Sequence, residues 1–343
     1  MITTYFRSSS LNNWKYCELQ YFMTYVLGHY SPSGKKADLG TITHAVFETL
    51  AICKKRTQFN KRSKMKITQE PLGDFSFSED ELFTDDFVNK VLDRSFEFYK
   101  SNSKHNEFNE KDYQFCYKMV WDTLAYNKGQ FDPRNRKIID TEPHFDIPIN
   151  EPWAKFTFDG PDGPISGNLA IKGTIDLVTE LPDGTIEVID WKTGQRLDWA
   201  TGERKDYDKL MKDTQLLLYH YAIGKLYPKY RYTLMTIFFC RDGGPFTLAF
   251  DKDDDEYFLN NTLKSMFEEI RANQKPKPVS QDRNSFKCQK LCHYYKTNWP
   301  GTEKTMCHHI EDQIKTIGMQ KTVETCTRPG FVIGTYKDPG AVE

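Results

Sequence analysis

Two aspartates and a lysine stand in a run otherwise suited to the interior of a sheet. In residues 171–194, IKGTIDLVTELPDGTIEVIDWKTG, the charges of Asp176, Asp190 and Lys192 interrupt Ile, Val, Leu and Trp. Burying such groups costs several kcal/mol unless something compensates. Carboxylates brought together offer the hard oxygen ligands that suit Mg2+ or Mn2+. A lysine beside them would stabilise charge developing on a phosphate or help deprotonate a metal-bound water. The alternative is an ordinary ion-pair ladder in which Asp176 pairs with Lys172 or Lys192.

The elements that must position these residues follow from alternation. In TIEVIDWKT, Val188, Asp190 and Lys192 fall on one face of a strand and Glu187, Ile189 and Trp191 on the other. The preceding Leu181-Pro182-Asp183-Gly184 suits a three-residue hairpin loop, with Pro opening a type I turn and Gly in the left-handed position of a bulge. That loop pairs 181 with 185 and, counted back along both strands, Asp176 with Asp190, their Cβ atoms about 4.5–5.5 Å apart. Two carboxylates so placed call for a cation between them. A two-residue Asp183-Gly184 turn would instead oppose Asp176 to Trp191 and part the acids.

Around this hairpin the chain divides into three stretches. Residues 1–136 look mostly helical. Ser8 to Ser10 form an N-cap cluster for a helix bearing Leu11, Trp14, Tyr21, Phe22 and Tyr25 and ending near Gly28. A second helix, TITHAVFETLA, puts His44 and Glu48 four apart on one face, and two further helical patterns cover roughly 80–100 and 110–128. Between them, residues 54–68 are a basic run without periodicity and 69–80 an acidic one, expected as an exposed excursion.

Residues 137–275 switch to a period of two: KIIDTEPHFDIPI, AIKGTIDLVTEL and TIEVIDWKT as three strands, with 150–168 a long connection. The helix DKLMKDTQLLLYHYAIGKLYP, ended by Pro228, comes next. A strand pair joined at Asp242-Gly243-Gly244 and a helix over about 253–273 follow. Residues 276–343 are a Cys/His-rich tail without strong periodicity. The three stretches are expected to pack as one domain of the α/β (α+β) class.

Composition narrows the function. The hydrophobic fraction of 38% is below the usual ~45–50%, yet 24 Phe, 19 Tyr and 6 Trp make the chain globular with a large polar surface. A net charge of -1 gives no overall basic field, so any nucleic-acid site must be a local patch. There is no apolar signal-peptide core and no run of about 18 apolar residues, so a soluble, cytoplasmic protein without membrane contact is expected. Eight Cys in such a chain point to thiols or metal ligands rather than disulfides. No GxxxxGK[ST] is present, so any motor would be a separate protein.

Asp176, then Asp190-Trp191-Lys192-Thr193-Gly194, then Gln215 and Tyr219 at helical spacing, resemble the PD-(D/E)XK nuclease superfamily. The resemblance is to the branch of the RecB and AddB nuclease domains and the CRISPR-adaptation exonucleases, and it is compatible with a phage-encoded protein. SSSLNNWKYCELQYF and LGTITHAVFETLA match the same branch upstream, and the resemblance runs from about residue 8 to 310. It implies a restriction-endonuclease-like core: a central mixed sheet flanked by helices, with a helical N-terminal part and a Cys-rich tail. His44, Asp176, Asp190 and the carbonyl of Trp191 would bind Mg2+ or Mn2+. Lys192 would be the catalytic lysine, with Gln215 and Tyr219 orienting it or contacting the DNA backbone. Glu48 would orient a neighbour, and Glu142 matches a position where related nucleases often carry an acid near the site. The implied chemistry is metal-dependent hydrolysis of DNA, as an exonuclease in recombination, repair or phage DNA processing, with a helicase or recombination protein as separate partner.

Two further features complete the expectations. Cys288-x3-Cys292-x14-Cys307, beside His293, His308 and His309, looks like a metal-binding tail. In the iron-sulfur members of the resembled branch a Cys in the first helix joins three near the C-terminus, and Cys17 stands at that place. The set implies a [4Fe-4S] cluster, with zinc on a Cys/His set as the alternative, in a structural role. Lys54, Lys55, Arg56, Lys61, Arg62, Lys64 and Lys66 form either one wall of a DNA channel or a solvated loop.

Overall fold

The computed structural model describes residues 1–59, 64–69, 72–103, 107–160, 163–197, 202–242 and 244–332. They form two compact units, each discontinuous in sequence. The first comprises Met1–Pro32, Phe145–Gly173 and Asp253–Glu343, the second Ser33–His144 and Thr174–Lys252. Among the described residues no helix is long and apolar enough to cross a membrane.

The second unit is built on a five-stranded mixed sheet. Its order is Gly244–Ala249, Thr233–Phe239, Ile186–Lys192, Leu177–Glu180, Lys137–Thr141. The central pair, Ile186–Lys192 with Thr233–Phe239, is parallel, and the other neighbours are antiparallel. The hairpin before Asp190 has the longer loop. Gly184 N–H donates to Leu181 O at 2.9 Å, Leu181 N–H to Thr185 O at 2.8 Å, and Gly184 has φ +85. Ile186 faces Glu180 and Ile189 faces Leu177, so the next step of the same register brings Asp176 and Asp190 together.

Helices cover both faces of this sheet. Lys35–Phe59 lies on the Ile189/Trp191 face, where Phe47 meets Trp191 at 4.7 Å between ring centroids and Trp191 meets Phe238 at 5.6 Å. Thr214–Leu226 covers the Val188/Asp190 face, placing Gln215 on Asp190. The core joins Ile42, Val46, Leu50, Val88, Leu92, Val120 and Trp191.

Several expectations about elements change. The runs 137–149 and 170–181 are each two strands: Lys137–Thr141 and His144–Pro148, Ala170–Thr174 and Leu177–Glu180. The breaks lie side by side, with Glu142 N–H donating to Asp176 O and Ile175 N–H to Pro143 O, both at 3.2 Å. The supposed excursion is structure. The His44 helix runs on to Phe59, and Met65–Gln69 pairs with Gly73–Phe77, burying Ile67, Phe75 and Phe77. The helix after Lys192 is interrupted at Asp213, which caps Thr214–Leu226 by accepting from Gln215 N–H. The loop residue Gly243 lies outside the described residues.

The first unit holds a three-stranded sheet of order Tyr5–Phe6, Ala170–Thr174, His144–Pro148. The connection 150–168 is a second hairpin, Lys155–Gly160 with Gly163–Asn168. The first helix breaks at Cys17 into Ser8–Tyr16 and Glu18–Tyr21, followed by a wide turn Phe22–Val26. The Cys-rich tail is helical rather than irregular, with Met306–Cys326 kinked at Gly318.

Candidate active site

The strand Ile186–Lys192 ends with Asp190 and Lys192 side by side on one face. Asp190 is 1% exposed. Its Oδ1 accepts from Gln215 Nε2 at 3.0 Å, while Oδ2 lies 2.5 Å from Lys192 Nζ without hydrogen-bond geometry. Burial pushes the Asp190 carboxyl above the ordinary aspartate range, Lys192 pulls it back, and the charge of Asp176 adds to the rise. Burial would lower the Lys192 ammonium, but Asp190 and Asp176 outweigh it and hold it above the ordinary lysine value. The lysine therefore stays charged, a third exposed at the edge of the site.

Asp176 sits one residue beyond the ladder. Its Oδ2 accepts from the Trp191 N–H at 2.8 Å and lies 3.5 Å from His44 Nδ1. Lys172 pairs with Asp146 and Lys192 with Asp190, so the ion-pair ladder through Asp176 does not form. Gln215 Nε2 also donates to Tyr219 Oη at 3.0 Å, and Tyr219 donates to Thr174 O at 2.8 Å. The pair thus braces Asp190 against the chain just before Asp176.

Two more carboxyls converge on the same place. Burial, then the charge of Asp176, raises Glu142, with His44 opposing. Glu142 has φ +45, a left-handed conformation that a non-glycine residue seldom adopts. Burial and then Glu142 lift Glu48 to about 7, against a hydrogen bond of 2.7 Å from Gln69 Nε2 to Glu48 Oε2. Thr49 in turn donates to Gln69 Oε1. Nothing in the sequence marks Gln69, because the strand carrying it is hidden among charges. A Cβ at Gly40 would stand 2.6 Å from Thr193 Oγ1, so the His44 helix meets the end of the Lys192 strand where only glycine fits.

The crowd of acids around buried Asp190 suits a hard cation. As the side chains stand, no group of three or more His, Cys, Asp or Glu among the described residues is spaced to hold a metal ion. Lys192 occupies the position facing Asp190 Oδ2.

Cys17, Cys288, Cys292 and Cys307 all belong to the first unit, but among the described residues no three of them are spaced to hold a metal ion. Burial raises Cys17, Cys292 and Cys307, the last to about 11. Main-chain donors of Gln20, Val279 and Leu19 face the Cys17 sulfur, and those of Tyr295 and Tyr294 face Cys292. Cys53, Cys116, Cys240 and Cys326 are buried and free.

The basic run is less available than its composition promises. Lys55 pairs with Asp140 at 2.7 Å, Lys54 lies over the Phe83 ring, and Lys66 pairs with Asp74. Arg56 and Lys64 are exposed. Lys61 and Arg62 lie outside the described residues.

The model of the PD-(D/E)XK nuclease superfamily matches residues 8–296. The chain belongs to this superfamily. Members of the superfamily typically use divalent metal ions such as Mg2+ or Mn2+. The chain is also similar to a crystal structure from Eubacterium rectale described as a "Putative exonuclease". The identity is 8% and the TM-score 0.46, over 86% of this chain and 88% of that one. No curated protein matches the chain.

Proposed function

We propose that this PD-(D/E)XK nuclease is a Mg2+- or Mn2+-dependent DNA exonuclease of the RecB/AddB-like branch. The observation that carries the proposal is the meeting of Asp176, Asp190 and Lys192 at one strand end, with Lys192 ion-paired to Asp190 and the Trp191 N–H donating to Asp176. His44, Asp176, Asp190 and the Trp191 carbonyl would hold the metal. A bound divalent ion supplies Lewis acidity toward phosphate and water. The protein's own groups do the rest. Lys192 offsets negative charge building on the phosphate. The Trp191 amide fixes the Asp176 carboxylate, and Gln215 with Tyr219 fixes Asp190.

The substrate is linear DNA with a free end, taken up by the local basic groups Lys54, Lys55, Arg56, Lys61 and Arg62, with Lys64 next to them in sequence. A separate helicase or recombination protein would deliver it, in repair, recombination or phage DNA processing in the cytoplasm. The segments 1–136, 137–275 and 276–343 would then act as helical cover, nuclease core and metal-bound tail. Cys17, Cys288, Cys292 and Cys307 would hold a [4Fe-4S] cluster, or zinc, that ties the first helix to the tail.

The test is degradation of end-labelled single- and double-stranded linear DNA and closed circular DNA by wild type and Asp190→Ala, with Mg2+, Mn2+ or EDTA. Metal-dependent loss of linear DNA that disappears in Asp190→Ala is expected, and the labelled end gives the polarity. Cut circles would replace the exonuclease reading with an endonuclease. Wild type that binds DNA but leaves every substrate intact would make the chain a binding or scaffold protein.

A further inference from the structure

Soon after Lys192 the chain brings a second cation, Arg196, to the same face of the sheet. The register fixes its place. Asp190 pairs with Ile237 and Ile237 with Phe246, so Phe246 stands on the Asp190 face, two strands away. Neighbouring strands lie about 4.8 Å apart, which makes the separation about 10 Å. The Arg196 guanidinium lies over the Phe246 ring, 4.6 Å from its centroid.

The backbone beneath Arg196 is tied on both sides. Its N–H donates to Asp242 Oδ2 at 2.6 Å, its carbonyl accepts from Lys205 N–H at 3.1 Å, and Leu197 bridges to Arg204. Lys205 itself is taken by Asp213 at 2.7 Å. Arg196, by contrast, forms no ion pair among the described residues, and its buried Nε donates to none of them. A buried donor left so calls for a partner.

Charge says which partner. Asp176, Asp190 and Glu142 make the site itself hostile to a polyanion, so a strand lying across it needs cations on the same face. An arginine laid flat on an aromatic ring keeps its planar fork rigid, and that fork matches the two free oxygens of a phosphate. We propose that Arg196 binds a backbone phosphate of the substrate strand, with Phe246 as the platform that holds its guanidinium. This rests on the nuclease reading of the Asp190 site. At 3.4 Å for each step of duplex, 10 Å places that phosphate about three nucleotides from the bond being cut, and fewer in an extended strand. A phosphate contact carries no sequence information, so the site grips any DNA strand alike.

The experiment uses the full chain as wild type, Arg196→Gln and Arg196→Lys. Binding to a fluorescent single strand is measured in EDTA over a range of NaCl, and cleavage with Mg2+ or Mn2+. Both are repeated on strands in which one linkage at a time, from the end inward, is an uncharged methylphosphonate. Arg196→Gln is expected to bind about 10-fold more weakly, to lower the slope of log affinity against log salt by about 1, and to raise KM with kcat nearly unchanged. Arg196→Lys should keep the slope and recover part of the affinity. One neutral linkage near the cut should weaken wild type as the substitution does, and weaken Arg196→Gln no further. If Arg196→Gln does not fold, Arg196→Lys and the neutral linkages carry the test. Wild-type affinity and slope in Arg196→Gln would overturn the proposal. So would a neutral linkage that weakens both proteins equally, or a fall in kcat and unfolding midpoint with KM unchanged, which marks a merely structural arginine. Wild type that cuts nothing while Arg196→Gln still loses affinity and slope would sink the nuclease reading and leave the phosphate site standing. Wild type that neither binds nor cuts DNA would sink both.

Discussion

Glu48 gives the most direct test of the electrostatics around the candidate site. It lies one helical turn after His44, and burial together with the charges of Glu142 and Asp176 lifts its carboxyl from 4.5 to about 7, with Gln69 opposing. An acid whose pKa is higher folded than unfolded costs nothing below the unfolded value. Its penalty grows through the interval and is complete above the folded value. At about 1.4 kcal/mol for each pH unit, the interval for Glu48 amounts to about 3 kcal/mol. Glu48→Gln keeps the shape and can still accept from Gln69, so it removes the penalty alone. In excess EDTA the variant should therefore be more stable than wild type by about 3 kcal/mol at pH 8.5, with the gain shrinking to nearly nothing by pH 4.5. If the second unit, about 190 residues, unfolds as one, its midpoint should rise by roughly 6–12 °C at the higher pH. Urea and thermal unfolding at pH 5, 6, 7 and 8.5 measure this. A pH-independent difference, or a loss of stability at pH 8.5, would refute the argument that crowding of buried carboxyls raises Glu48.

Two glycines carry further predictions. Gly40→Ala should drive the His44 helix against Thr193 Oγ1 and lower Mn2+ affinity and nuclease activity about 10-fold, while costing about 1 kcal/mol of stability. Thr193→Ala in the same chain should restore affinity by removing the clashing oxygen, and strictly additive effects in calorimetry and activity would contradict the steric account. Gly184→Ala, at φ +85, should cost about 1–2 kcal/mol in denaturant unfolding without moving the metal dependence of cleavage. A shift in that dependence would mean that the hairpin register had slipped.

How much of this was legible in the sequence depends on whether the deciding physics is local. The hairpin was, because Pro182, Asp183 and Gly184 have narrow conformational preferences and one loop length sets every pair behind it. The order of His44, Asp176, Asp190, Lys192, Gln215 and Tyr219 was also legible, and the structure draws them together. The paired strand breaks were not. Alternation continues through Glu142 and through Ile175, and only the pairing of each half with a different sheet interrupts the ladder. The Met65–Gln69 hairpin was masked by its exposed charged face, although Met65, Ile67 and Phe75, Phe77 alternate inward. Arg196 had no signal at all, since a stacked guanidinium looks like any surface arginine until its ring is in place.

The alternation of the two units along the chain bears on how the protein is made. Cys17 is synthesised about 270 residues before Cys288, which at ribosomal rates of about 5–20 residues per second is roughly 15–50 s. Through that interval the first helix waits for the rest of its unit, and Ile186–Lys192 waits for Thr233–Phe239, its parallel neighbour in the five-stranded sheet. If the tail cysteines take a metal as proposed, its loading is a late event, open to competition from oxidation. No single cut in the polypeptide releases either unit intact, so expression of fragments should yield aggregates.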